Sequence, residues 1–273
     1  MKNGDTLEFL SQSPTRSRDP RFIMSRLDQA LVERGFCESR EKARRAIMAG
    51  AVRVNQQPAR KPSDPVNPSD ELALEAPEKY VSRGGSKLEH AFDQFHLSVE
   101  GSVVIDLGAS TGGFTDCLLQ RGAARVYAVD VGHGQLAWKL RCDSRVVVMD
   151  RTNARALAPD RFPKGFSPVD LVTIDCSFIS LKKILPAAAR LLREGGRIVP
   201  LVKPQFEAGK EEADRGAGVI RDPQIHERVL RELEAFVSAT PGLRWRSVTE
   251  SPLRGPAGNK EFLALIEKYS RQH

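Results

Sequence analysis

The chain is short of cysteine and of long apolar runs, and both shortages exclude something. No apolar stretch of the 273 residues approaches the ~18 that a membrane-spanning helix needs. The segment from Met1 to Ile23 is polar, with scattered Arg and Pro and no signal-peptide core, so residues 1–24 are expected to form a disordered extension. The four cysteines, Cys37, Cys117, Cys142 and Cys176, lie far apart and make no C-x-x-C pair. That spacing disfavours a disulfide framework or a cysteine-based metal site, and it suits a reducing cytoplasm. A G-x-G-x-x-G fingerprint is missing too, which argues against a dinucleotide pyrophosphate cradle.

What is present begins with a strand and a glycine loop. Val103 to Leu107 is a short apolar run interrupted by an acid, Asp106, as a buried parallel strand would be. Gly108-Ala109-Ser110-Thr111-Gly112-Gly113-Phe114-Thr115 follows in a D-x-G-x-x-x-G-G pattern and leads into an apolar helix. Strand, glycine turn and helix start make a nucleotide-type pocket at the carboxyl end of a sheet. The altered glycine spacing favours S-adenosylmethionine, whose amino-acid end replaces a diphosphate. Candidate cofactor contacts are therefore Asp106, Gly108, Ser110, Thr111, Gly112, Gly113 and Phe114. A plain tight turn is the competing reading of the loop.

From residue 100 onward, strand-like and helix-like segments alternate, which signals an α/β domain with a parallel sheet covered on both faces. Strands are expected at 103–107, 125–130, 146–149, 170–175, 197–203, 245–250 and 260–267, with a sheet-covering helix at 181–193. Asp130 ends the second strand and suits the two ribose hydroxyls of an adenosine cofactor. Asp150 ends the third and is placed to accept from the adenine amino group. Each acid has a plainer reading as a helix cap or a strand end. Asp175 and Lys203 end two further strands, and a lysine at an otherwise apolar strand end is costly to bury without a partner.

The net charge of +7 suits a polyanionic partner, and it is unevenly spread. Residues 25–62 carry nine Arg or Lys against four acids. Leu27, Ala30 and Leu31 form one helical stripe closed by Gly35. Ser39 caps a second helix with Ala43, Ala46 and Ile47 inward, so Arg40, Arg44 and Arg45 form an outer guanidinium row. Val52 to Asn55 alternates as a strand, Gln56-Gln57-Pro58 turns the chain, and the proline-rich stretch to Pro77 suggests a closing hairpin and a linker. The boundaries expected are 25–80 and 81–273. A solvated helix face alone would also account for such a charge row.

The order R-L-D-x-x-L, S-R-x-x-A-R-x-x-I-x-x-G and V-x-V-N resembles the small αL RNA-binding domain of ribosomal protein four of the small subunit. That resemblance implies phosphate contacts by Arg26, Arg40, Lys42, Arg44, Arg45 and Arg53, which position RNA but read little sequence. Farther on, G-A-S-T-G-G-F-T-D, D-x-S-F-I-S-L, V-K-P-Q-F-E and S-P-x-x-G-P-x-G-N-x-E resemble the TlyA family of ribosomal RNA methyltransferases, also labelled haemolysin A. Its catalytic domain is similar to the FtsJ-type ribose 2′-O-methyltransferases. The expected fold is thus a Rossmann-like S-adenosylmethionine-dependent methyltransferase domain behind a small α+β RNA-binding domain.

The family's Lys-Asp-Lys-Glu tetrad would fall on Lys87, Asp175, Lys203 and Glu261, with Glu250 a rival for the last place. By the resemblance, the substrate is a cytidine in ribosomal RNA, naked or within a ribosomal subunit; DNA and stable membrane attachment are not expected. Lys203 is the expected base, Lys87 the neighbouring charge that disfavours its proton, Asp175 the group that orients it, and Glu261 a support. The chemistry needs no metal. Three rivals remain: a membrane-active haemolysin, for which spanning segments are lacking; a binding-only ribosome-assembly factor; and a base methyltransferase, whose N-P-P-[YF] motif and cysteine pair are absent.

Overall fold

A computed structural model describes residues 24–74 and 78–269; the extension expected over 1–24 lies outside them except for its last residue. The chain divides into two compact units between Pro77 and Glu78.

The smaller unit starts with β1 (Ser25–Arg26) and α1 (Leu27–Glu33). Leu27, Ala30 and Leu31 bury one stripe of α1, and Gly35 takes φ +79 just past its end. In α2 (Arg40–Met48), the Ser39 side chain accepts from the Lys42 N–H at 3.3 Å, while Ala43 and Ile47 pack inward. The strands β2 (Val52–Val54), β3 (Gln57–Pro58), β4 (Pro65–Val66) and β5 (Leu72–Leu74) complete the unit. β2 is central, with β3 and β5 antiparallel beside it, and β1 pairs with β4.

Two expectations shift here. The turn after β2 is Asn55–Gln56, at φ +49 and +66, and not Gln56–Pro58. Both residues left-handed is the two-residue geometry that suits the twist of paired strands. The proline-rich stretch also supplies Val66 and Leu72 to the core, so most of it is domain, not linker. Pro58 and Pro65 sit on strands at sheet margins, where a missing N–H costs little.

The larger unit contains α3 (Gly84–Gln94), β6 (Val103–Leu107), α4 (Gly113–Gln120), β7 (Arg125–Val129), α5 (Trp138–Arg141) and β8 (Val146–Met149). It continues with β9 (Val169–Ile174), α6 (Leu185–Leu191), β10 (Leu192–Val202), α7 (Pro204–Glu207), α8 (Lys210–Arg215), α9 (Pro223–Ala239), β11 (Leu243–Glu250) and β12 (Phe262–Lys268). The expected helix at 181–193 splits into a 3-10 turn, Leu181–Lys183, and α6, because Pro186 fits only the first turn of a helix.

The seven strands lie in the order β11-β12-β10-β9-β6-β7-β8. Neighbours from β10 to β8 are parallel, whereas β12 is antiparallel to both β10 and β11. The expected parallel sheet is present from β10 to β8, and β12 adds a strand of opposite direction. Alternation along β6 feeds both faces: Ile105 and Leu107 pack toward α6 and α9, Val104 toward α3 and α4. Among the described residues no helix is long and apolar enough to cross a membrane.

The reversal at β12 puts an acid beside a lysine strand end. Residues that come after parallel strands lie at the carboxyl edge of the sheet, and so does a residue that precedes an antiparallel one. Val202 of β10 pairs with Phe262 of β12, which brings Lys203 and Glu261 to the same edge.

Candidate active site

The chain leaves β6, travels outward through β7 and β8, then crosses back to β9 beside β6. Ligands of open α/β sheets settle outside the carboxyl ends at such a reversal. Here the two loops touch: Asp175 N–H donates to the Leu107 carbonyl at 2.8 Å. Gly108 takes φ +84, and a Cβ there would lie 2.8 Å from the Asp175 carbonyl oxygen. Only glycine fits that approach.

Two adjoining cavities open at this edge, of about 500 and 250 Å³, with Gly108, Ser110, Asp175 and Ser177 on both walls. Asp130 lines the larger one. Its carboxylate accepts from the Ser110 N–H at 2.8 Å and the Gly132 N–H at 2.7 Å, which holds Ser110 in its left-handed conformation, φ +48. Thr111, Gly113 and Phe114 line the smaller cavity.

The other three expected cofactor contacts are not brought to either wall. Gly112, at φ +98, starts α4, and a Cβ there would meet Leu136 and Leu140. Asp106 is fully buried, and its two oxygens accept from Thr115 Oγ1 at 2.7 Å and Thr173 Oγ1 at 2.9 Å. Burial pushes its carboxyl up to about 7 in spite of these two bonds. Asp150 is engaged elsewhere: its Oδ2 meets the Gly134 N–H at 3.2 Å, Arg141 at 3.2 Å and His133 at 3.1 Å. Burial alone would raise the Asp150 carboxyl, but these partners hold it below the usual carboxylate range. Thr152, Asn153 and Arg155, just beyond it, take the wall position instead.

The smaller cavity gathers all four tetrad residues. They form two ion pairs: Lys87 Nζ to Glu261 Oε2 at 2.5 Å, and Lys203 Nζ to Asp175 Oδ1 at 2.6 Å. Lys203 also donates to Ser177 Oγ at 2.9 Å, a partner that sequence reasoning missed although it lies two residues past Asp175. Glu261 is 2% exposed, whereas Glu250 sits on the surface and pairs with Lys260 at 3.0 Å. The geometry thus separates the two glutamates. It also alters the electrostatics: with Glu261 neutralising Lys87, the charge nearest Lys203 is its own counter-ion, Asp175.

Phe178 was missed as well. It lines the larger cavity, is 91% exposed, and takes φ +63, a rare backbone for a bulky side chain. An exposed aromatic in a D-C-S-F loop after a strand was the available signal.

In the smaller unit, the expected row of Arg40, Arg44 and Arg45 is split: Arg45 turns to Glu41, while Arg40 and Arg44 join Arg26 on one acid. All three contact the buried carboxylate of Asp28, at 3.1, 3.1 and 3.2 Å. Burial would raise the Asp28 carboxyl, but the three guanidiniums outweigh it and hold it at about 2. Lys42 pairs with Glu38, Arg45 with Glu41 at 3.6 Å, and Arg53 donates to the Gln56 carbonyl at 3.3 Å.

Strand order, the reversed strand one in from the edge and paired cavities at the switch point define a Rossmann-like fold of the S-adenosylmethionine-dependent methyltransferase class. Comparison with known proteins narrows this. The pattern of the FtsJ-like methyltransferase family matches residues 80–268, and that of the S4 domain matches residues 25–72. The chain belongs to the FtsJ-like methyltransferase family and carries an S4 domain in front. It is similar to the Mycobacterium tuberculosis 16S/23S rRNA (cytidine-2′-O)-methyltransferase TlyA, at 47% identity over 89% of each chain. It is also similar to Hemolysin A of Brachyspira hyodysenteriae, at 42% identity over 88% of this chain and 98% of the other. A solved Streptococcus thermophilus structure bearing the hemolysin name superposes with a TM-score of 0.68 at 47% identity, covering 90% of this chain and 89% of its own.

Proposed function

We propose that this protein methylates the 2′-hydroxyl of a cytidine in ribosomal RNA with S-adenosylmethionine as donor. The observation that carries the reading is the pair of ion pairs, Lys203–Asp175 and Lys87–Glu261, walling a small cavity that adjoins a nucleoside-sized one. The reaction named for the mycobacterial relative and the S4 domain supports RNA as substrate.

The residues fit the cofactor. Asp130 offers a carboxylate for ribose hydroxyls, Asn153 and Ile184 also line the larger cavity, and Gly108, which lets the Asp175 backbone close in, borders both cavities. Ser110, Thr111 and Gly113 would hold the cofactor's amino-acid end. When bound, the cofactor supplies a methyl group on a positively charged sulfur, which is a strong electrophile.

The chain's own residues then have two tasks. The first is to hold the ribose oxygen in line with the methyl carbon, a matter of orientation that a walled cavity accomplishes. The second is to remove the hydroxyl proton. For that step Lys203 must first give up the proton of its ion pair to solvent; the hydroxyl proton then ends on its Nζ. The ammonium so formed stands 2.6 Å from Asp175, so the charge that develops on transfer meets a counter-charge already in place. Ser177 fixes the direction of Nζ. Lys87, tied to Glu261, presents a fixed donor to the same cavity.

The test is transfer of labelled methyl to unmodified ribosomal RNA and, separately, to ribosomal subunits, with digestion to nucleosides and mass spectrometry. The expected product is 2′-O-methylcytidine. In Lys203→Ala the rate is expected to fall ~10²–10⁴-fold, the usual worth of general-base catalysis, with cofactor affinity retained. A variant with full turnover would remove Lys203 from the step, and label in a methylated base would overturn the ribose reading.

A further inference from the structure

Among the described residues of the smaller unit, Asp28 is the only buried charged side chain, with no solvent exposure at all. It lies in the first turn of α1, and three arginines from three positions reach it. Arg26 donates through Nε at 3.1 Å and Nη2 at 3.3 Å, Arg40 through Nη2 at 3.1 Å, and Arg44 through Nε at 3.2 Å. Their side chains remain 44, 50 and 57% exposed. A guanidinium carries five N–H donors, so most of the donors of this trio stay free for a ligand while each group is held at one end.

Other cations of the unit are arranged differently. Lys42 and Arg45 pair with Glu38 and Glu41, each four residues earlier in the chain, and both of those acids are largely exposed. Such pairs are loose and let the side chain sample many rotamers. The Asp28 cluster instead joins α1, α2 and the residue before α1 through one inaccessible carboxylate. An anion approaching from solvent meets three positive groups and never touches the acid beneath them.

We infer that Asp28 is a positioning residue that assembles Arg26, Arg40 and Arg44 into one preorganised site for a single RNA phosphodiester. The inference rests on the RNA reading above and adds a residue to it. Free arginines lose rotamer freedom on binding, and these three have already lost it. The planar fork of each guanidinium suits phosphate oxygens, so fixing its orientation fixes the ligand's.

The sign of one substitution separates this role from simple charge. Asp28→Asn removes a negative charge close to bound phosphate, so Coulomb attraction alone predicts tighter RNA binding. Positioning predicts weaker binding. With full-length protein and a fluorescent RNA hairpin, Asp28→Asn is expected to bind about ten-fold more weakly, and the slope of log K against log salt to shrink by about 1, as when one phosphate contact is lost. Equal or tighter binding by Asp28→Asn would overturn the inference. Wild-type protein without salt-dependent binding would instead overturn the RNA reading, and the site's ligand with it.

A second measurement needs no variant and guards against an unfolded one. Nitrogen relaxation at Arg Nε in the free protein is expected to show Arg26 and Arg44 rigid and Arg45 mobile. Equal mobility of all three would show that Asp28 organises nothing.

Discussion

Replacing Asp106 with Asn should change how stability depends on pH in a defined direction. Asp106 is buried beneath α4 with its oxygens on Thr115 and Thr173, and its carboxyl titrates at about 7 against 3.8 for a free aspartate. The folded state therefore keeps this proton to higher pH than the unfolded chain does. Such a group adds stability that is fully present below about pH 4 and is withdrawn as pH rises through about 7. A displacement of this size corresponds to roughly 4 kcal/mol in all, of which roughly 2–3 kcal/mol falls between pH 5 and 8. Asn is neutral throughout, and any offset from its amide is the same at each pH. The difference in unfolding free energy, Asn variant minus wild type, should rise by that amount from pH 5 to pH 8. Urea titration monitored by tryptophan fluorescence reads the right unit, because both tryptophans, Trp138 and Trp245, lie in the larger one. A pH-independent difference would refute the claim that burial governs this carboxyl.

Other outcomes come from the same geometry. Glu261→Gln strands Lys87 in a site where the two side chains are only 9 and 1% exposed; it should destabilise the larger unit by ~3–5 kcal/mol, and adding Lys87→Met should recover much of that in the same urea assay. If the double variant is as unstable as Glu261→Gln alone, the pair is not the cause. Gly108→Ala forces a side chain into φ +84 against the Asp175 carbonyl; a loss of more than ~1 kcal/mol is expected, and calorimetric titration with S-adenosylmethionine should show weakened binding. Unchanged affinity would detach the Gly108 cradle from the cofactor.

The strands were legible because buried parallel strands are continuous apolar runs, and β6 to β10 lie near their expected places. The direction of β12 was not legible, since Phe262 to Lys268 has the same composition whichever way it pairs. The acids at strand ends show the limit more sharply. Asp106, Asp130 and Asp150 look alike in sequence, yet one is buried under a helix, one lines the cavity and one is bound by Arg141 and His133. Burial and partners separate them, and neither is visible from spacing. Asp28 escaped notice for a related reason: its arginines are 2, 12 and 16 residues away, and only the packing of α1 on α2 brings the last two within reach.

The antiparallel β12 has a consequence for the order in which the two cavities are completed. Lys87 and Glu261 are 174 residues apart, and the glutamate reaches the site only when β12 inserts between β10 and β11. A chain folded from α3 through β10 would already hold the glycine loop, Asp130, Asp175 and Lys203, enough to build the larger cavity. It would lack the counter-ion of Lys87, and β10 would have an open edge. Completion of the larger cavity and of the Lys87–Glu261 ion pair are thus separable stages of folding, and the second waits on the return of β12 to β10.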